Sequence, residues 1–166
     1  MSEFNNYPSY LQAGDLASET TTIDATETYY NLNLGVANSL TSKGTGIKYK
    51  SGLSGSINLN MKGIYVFQFM FSFTGGTNKV YQFILNSSAR GYIEHTRRQF
   101  STKGSDMWEV QFMFLINNDF KPLPSGAGNM QGATTCNEIY SPLIQNKSNA
   151  DNITIANGNI LIYKIN

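Results

Sequence analysis

The segment Gly63-Ile64-Tyr65-Val66-Phe67-Gln68-Phe69-Met70-Phe71-Ser72-Phe73 constrains this chain more than any other. Side chains alternate across an extended strand, so Tyr65, Phe67, Phe69, Phe71 and Phe73 share one face. Ile64, Val66, Gln68, Met70 and Ser72 share the other, and neither face carries a charge. The period is two throughout, the signature of a strand. Trp108 to Ile116 repeats the scheme, with Gln111-Phe112-Met113-Phe114 echoing Gln68-Phe69-Met70-Phe71. One row there is Val110, Phe112, Phe114 and Ile116; the other is Glu109, Gln111, Met113 and Leu115.

An antiparallel sheet commonly keeps one face in water. Two strands that read as dry on both faces need two covers. The aromatic rows suit the core of a sandwich. The Gln/Met rows need a second cover, and a symmetry-related subunit supplies it economically. The expected interface is therefore Val66, Gln68, Met70, Gln111, Met113 and Leu115, with Gln68 and Gln111 hydrogen-bonding across a symmetry axis. The competing reading is a local cover, by a loop or by the N-terminal segment.

The rest of the chain from Thr26 onward is written in short strands. Thr28 to Leu34, Gly46 to Lys50, Ser56 to Met61, Val80 to Asn86 and Gly91 to Phe100 read as strands, the last more polar and expected in an outer sheet. Thr74-Gly75-Gly76-Thr77-Asn78 is a hairpin signal. Phe120 to Gly132 reads as a Pro/Gly loop and Asn137 to Ile144 as a weak strand. Asn152 to Ile155 and Ile160 to Ile165 read as two strands joined by a turn at Ala156-Asn157-Gly158-Asn159. No helical period appears. Many short strands separated by turn signals imply an all-β fold, an antiparallel β-sandwich or jelly roll, over residues 26–166.

Residues 1–25 are polar and turn-rich, and predict an extended N-terminal arm. The arm is either loose or an anchor on a neighbouring protein, with Phe4, Tyr7, Tyr10 and Leu11 as its apolar contacts. Met1 to Asn6 has neither a basic nor an apolar stretch of the kind a secretion signal needs. No apolar run approaches the length of a membrane span, so membrane insertion is not expected. The sequons at Asn86, Asn146 and Asn152 then read as chance in an Asn-rich chain.

Charged residues are 14% of the chain, against roughly a quarter in ordinary domains, and the net charge is +1. The basic residues do not cluster beyond Arg97-Arg98, whereas nucleic-acid binders carry a basic patch. No nucleic-acid partner is expected.

Motifs for chemistry are missing in the same way. The single cysteine, Cys136, excludes an intrachain disulfide and a cysteine-based zinc site. His95, the one histidine, lies beside Glu94, Arg97 and Arg98 and reads as a surface residue. Gly52-Leu53-Ser54-Gly55-Ser56 lacks the closing glycine of a nucleophile elbow. Gly44-Thr45-Gly46 and Gly126-Ala127-Gly128 do not continue as phosphate-binding loops. Asp106, Glu109, Asp119 and Asp151 lack calcium-loop spacing. The expectation is a non-enzymatic protein with no catalytic residues, no cofactor and no metal.

Three stretches resemble the jelly roll shared by the tumour necrosis factor (TNF) family and complement-type globular heads. Met61-Lys62-Gly63-Ile64-Tyr65-Val66-Phe67 is similar to the family's Gly-hydrophobic-Tyr-hydrophobic-Phe strand. Phe114-Leu115-Ile116-Asn117-Asn118-Asp119-Phe120 resembles its apolar strand ending in a turn, with Asn118-Asp119 where Gly-Asp is usual. Ile153 to Ile165 resembles its final strand. The resemblance covers residues 28–166. It implies a compact homotrimer whose first, third, sixth and last strands line the threefold axis.

Domains of this kind without a secretion signal are similar to bacteriophage fibre knobs and capsid decoration proteins. The resemblance thus implies a viral structural protein, made in the host cytoplasm and carried on the virion. It would be a trimeric head-fibre or decoration component attached through its arm to other virion proteins. The alternative is a tail-fibre adhesin for host attachment, recognising a surface glycan or protein; it requires exposed aromatics such as Tyr92 or Trp108, or others in the Phe120 to Asn137 loop. A glycan hydrolase, the third reading, requires a concave site with perturbed carboxylates.

Overall fold

The structure, a computed structural model, describes residues 9–16, 18–44, 46–103, 107–119 and 135–165, with backbone only for 135–137. Its strands are β1 (Tyr10–Leu16), β2 (Glu19–Thr21), β3 (Tyr30–Asn31), β4 (Ala37–Lys43), β5 (Ile47–Lys50) and β6 (Ser56–Met61). They continue with β7 (Gly63–Gly75), β8 (Val80–Ser87), β9 (Gly91–Ser101), β10 (Trp108–Asn118), β11 (Thr135–Asn146) and β12 (Ile153–Lys164). Two antiparallel sheets form a sandwich. One runs β10-β7-β12-β1-β4, with β2 also on β12; the other runs β5-β6-β11-β8-β9, with β3 also on β11.

The core lies where the aromatic rows predict. Tyr65, Phe67, Phe69 and Phe73 are fully buried and Phe71 nearly so. Phe112, Phe114 and Ile116 of β10 join them, through the pairs Phe112↔Phe69, Phe114↔Phe67 and Ile116↔Tyr65. Across the sandwich, β8 offers Tyr81, Phe83 and Leu85. Phe83 stacks on Phe112 with centroids 4.7 Å apart and meets Phe69 at 5.5 Å. Such ring pairs contribute about 0.5–1.5 kcal/mol each beyond the area they bury.

Ser56 to Met61, Gly46 to Lys50 and Val80 to Asn86 appear as β6, β5 and β8 within a residue or so. Gly91 to Phe100 is β9, an edge strand of the second sheet. Asn137 to Ile144 lies within a full strand, β11, despite Pro142. Thr28 to Leu34 is strand only at Tyr30–Asn31, with an isolated bridge from Leu34 to Gly52. The expected loop from Phe120 to Gly132 lies outside the described residues.

Three expectations are corrected. Thr74 to Asn78 does not close a hairpin: it carries the chain from β7 in one sheet to β8 in the other, where the aromatic rows of the two strands face each other across the core. Ala156 to Asn159 is not a turn: β12 runs unbroken from Ile153 to Lys164, with an irregularity between Ile155 and Asn157 in its pairing with β7. This bulge shifts the alternation by one residue, so Ile153 and Ile155 before it and Ile160 and Ile162 after it all reach the core. Gly158 is needed there because a Cβ would sit 2.6 Å from Cδ1 of Phe71.

The expected arm, residues 1–25, is corrected over its described part. Residues 10–16 form β1, which lies between β12 and β4 inside the first sheet, and residues 19–21 pair with Ile153 to Ile155. Leu11, Ala13, Leu16 and Ile23 belong to the core. Asp15, at φ 50°, breaks the alternation and returns Leu16 to the inside. The segment looks loose in sequence because Ala and Gly fill positions where neighbouring strands supply the bulk.

A chain beginning at Thr26 therefore lacks an internal strand, which leaves β4 without a partner and opens one edge of β12. We expect it to lose cooperative thermal unfolding, whereas a chain beginning at Ser9 keeps it; calorimetry of the two decides.

Candidate functional site

The outer face of the first sheet gathers every residue of the expected interface. Register places Leu115 opposite Val66, Met113 opposite Gln68 and Gln111 opposite Met70. Met113 and Leu115 are 56% and 59% exposed, while Val66 is buried. The remaining polar end is lightly used: Gln68 Nε2 lies 3.8 Å from Met70 Sδ.

Pairing extends these rows across two more strands. Val66 is opposite Tyr163, which is opposite Tyr10; Gln68 is opposite Leu161, which is opposite Gln12. The face thus grades along the strands. At one end lie Leu115, Val66, Tyr163 and Tyr10; next come Met113, Gln68, Leu161 and Gln12. The far end is polar, with Glu109, Ser72 and Asn157. A hollow of about 440 Å³ opens there, lined by Met70, Ser72, Glu109, Gln111, Asn157 and Asn159.

Among the described residues, the outward rows of β10, β7 and β12 carry one charged side chain, Glu109 at the polar end; the exposed Asp15 on β1 and Lys43 on β4 lie toward the other edge of the sheet. Tyr163, Leu161 and Tyr10 share this face and were not expected on it. The first two were legible in the alternation Leu161-Ile162-Tyr163; Tyr10 was assigned to the arm.

Of the arm contacts, Phe4 and Tyr7 lie outside the described residues. Tyr10 lies on the outer face and Leu11 in the core, so Leu11 is not free to anchor the chain on another protein. The strands β1, β7, β10 and β12 belong to one sheet.

His95 is exposed, with Nε2 2.9 Å from the Leu115 carbonyl oxygen. This contact bridges β9 and β10, the neighbouring edges of the two sheets. Trp108 packs against Phe73 and Tyr81 at the core margin, and its Nε1 is buried without a hydrogen-bond partner among the described residues. It is poorly placed for stacking on a ligand. Tyr92 is half exposed. The Cys136 side chain lies outside the described residues. Among those described, no group of three or more His, Cys, Asp or Glu side chains is arranged to hold a metal ion.

One buried ionic cluster escaped the sequence reading. Glu138 is fully buried; its Oε1 accepts from Ser87 Oγ and, at 3.0 Å, from Arg90 Nε. Arg90 Nη2 also donates to Tyr140 Oη at 2.6 Å, and Tyr140 donates to Asn118 Oδ1 at 3.2 Å. Burial and the Glu138 carboxylate push the Tyr140 phenol well above its ordinary range. Ser87 Oγ accepts from the amides of Ala89 and Arg90, so the cluster fastens the β8–β9 turn to β11. Its hydroxyl is buried and held by the Glu138 carboxylate, as a structural group.

Removing one partner of a buried pair leaves an uncompensated charge, at a cost of about 3–5 kcal/mol. We expect Arg90→Ala to approach the low end, because the guanidinium is partly exposed, and Arg90→Ala with Glu138→Gln to recover part of the loss. Urea unfolding of the three chains reads both values.

No protein-family model matches this sequence, and no curated protein sequence matches it. Solved structures do. Murine APRIL at pH 5.0 superposes with a TM-score of 0.58 at 10% identity, over 96% of this chain and 100% of that one. Eiger TNF from S. frugiperda superposes with a TM-score of 0.56 at 7% identity, over 96% of this chain and 92% of that one. At such identities the likeness establishes architecture alone. With its two antiparallel sheets in this strand order, the chain has a TNF-like jelly-roll fold.

Proposed function

We propose that this chain is a non-enzymatic assembly module that forms a homotrimer through the outer face of the β10-β7-β12-β1 sheet. The observation that carries the reading is the graded, nearly uncharged face itself. Met113 and Leu115 stand out from it while core-facing neighbours on the same strand are buried. A face of this kind, contiguous across four strands, is costly to leave in water and suits a subunit contact. The TNF-like fold supports three copies around an axis, with the apolar end of each face toward it and the polar end toward the rim. Gln68 and Gln111 then supply hydrogen bonds at the contact, in place of charges that burial would penalise.

The setting we infer is a virion, where the chain serves as a head-fibre or capsid-decoration component. Its low charge, single cysteine and Asn-rich surface are compatible with that setting. Attachment falls to the residues before Tyr10, with Phe4 and Tyr7 as contacts, since Leu11 is committed to the core.

Light scattering on the full chain tests the assembly. The expected mass is three chains. Met113→Asp combined with Leu115→Asp places carboxylates in the contact and is expected to give single chains with thermal unfolding still cooperative. A wild-type mass of one chain, or a double variant that assembles like wild type, overturns the reading.

A further inference from the structure

The opposite surface of the sandwich carries a separate group of residues that assembly does not use. There, on the outer side of the second sheet, Tyr29 and Tyr92 meet with ring centroids 5.2 Å apart and planes inclined at 51°. They line a hollow of about 380 Å³ together with Asn31, Asn86, Gly91 and Leu143. We propose that this hollow binds a neutral saccharide.

Four observations point that way. First, the aromatic surface is available: Tyr92 is half exposed, although it could have packed against the sheet as Tyr81 does on the inner side. A pyranose presents an apolar C–H face that fits an aromatic ring, and tilted rings offer two such surfaces to adjoining sugar units.

Second, the amides of Asn31 and Asn86 have no hydrogen-bond partner among the described residues, and both line the hollow. Each offers two donors and an acceptor, the pairing that vicinal hydroxyls accept.

Third, the platform is already held in place. Tyr29 Oη donates to Gln82 Oε1 at 2.7 Å, and Arg97 Nη1 donates to Tyr29 Oη at 3.0 Å and to Gln82 Oε1 at 2.8 Å. Gln145 Nε2 donates to the same oxygen at 2.7 Å. A ring fixed by such a network loses little freedom on binding, which lowers the cost of association.

Fourth, the charge is cancelled. Glu94 accepts from Arg97 Nε at 2.9 Å and from Nη2 at 2.8 and 2.6 Å, a forked pair that leaves no free cation for a sialic acid or a phosphate. The mouth is open at Gly91, where no atom lies within 4 Å of the position a Cβ would take.

Two other hollows were weaker. The one at Met70 and Glu109 lies on the proposed subunit contact. The one beside His95 and Arg98 is apolar, and its Met113 and Leu115 also belong to that contact.

The saccharide site does not depend on the assembly reading. The test is calorimetric titration of the full chain with maltohexaose, cellohexaose, mannohexaose and chitohexaose, with sialyllactose as the charged control. We expect at least one neutral oligosaccharide to bind, and Tyr92→Ala to weaken it by about tenfold or more, the range for losing one ring contact and its buried area. Asn86→Ala should also weaken it, whereas Met113→Asp with Leu115→Asp should leave the affinity per chain unchanged. Thermal unfolding of each variant checks that the fold persists. No binding to any of the four neutral probes at about 10 mM, a concentration that detects even millimolar affinity, overturns the proposal. So does binding unaltered in both Tyr92→Ala and Asn86→Ala, or binding to sialyllactose alone.

Discussion

The contact between the aromatic row of β7 and the rings of β8 and β10 is the constraint on which the rest of this structure depends. Phe69 touches Phe67, Phe71, Phe83 and Phe114, and Phe83 stacks in turn on Phe112 and Phe114. A one-residue slip of β7 against β10 would turn the whole row to the outside, so burying it fixes the register. That register then dictates what the other side of the sheet presents: Val66, Gln68 and Met70 beside Leu115, Met113 and Gln111. The face proposed for assembly is in this sense a by-product of the core, written by the same alternation.

Much of this was legible in the sequence because strong period-two patterns carry their own faces. The two-faced strands and the split between buried aromatic and outward Gln/Met rows follow from reading β7 and β10 alone. The hairpin signal after Phe73 is overruled, because the chain crosses there to the other sheet and β8 pairs with β11 and β9. Strands whose stability comes from neighbours were not legible. In β1, Ala13 and Gly14 give little hydrophobic signal, and the strand is ordered by pairing with both β12 and β4. β4 is an edge strand with Leu40 more than half exposed, so its polar composition looks like a loop. At Asn157-Gly158 the local chemistry of a turn was overruled, because Gly158 is the residue that lets Phe71 approach the bulge.

The candidate sites divide along the same line. The six residues of the proposed interface could be placed on one face because that face is a periodic property. The Arg90-Glu138-Tyr140 cluster and the Tyr29-Tyr92 hollow join residues from distant parts of the chain, and only the sheet order β11-β8-β9, with β3 laid on β11, brings them together. The hollow also shows why the exposed aromatic mattered more than the lone tryptophan: Trp108 is drawn into the core margin while Tyr92 remains at the surface. The two proposals thus fall on opposite sheets, so assembly through one would not cover the binding surface on the other.

The measurement that reaches the central claim most directly is an experimental structure of the full chain in its assembled state. The account predicts a closed threefold in which Leu115, Val66, Tyr163 and Tyr10 of each copy lie nearest the axis and are removed from water, with Tyr92 on the outside. A closed assembly with that face open to solvent, or one that buries the Tyr92 surface instead, would contradict it.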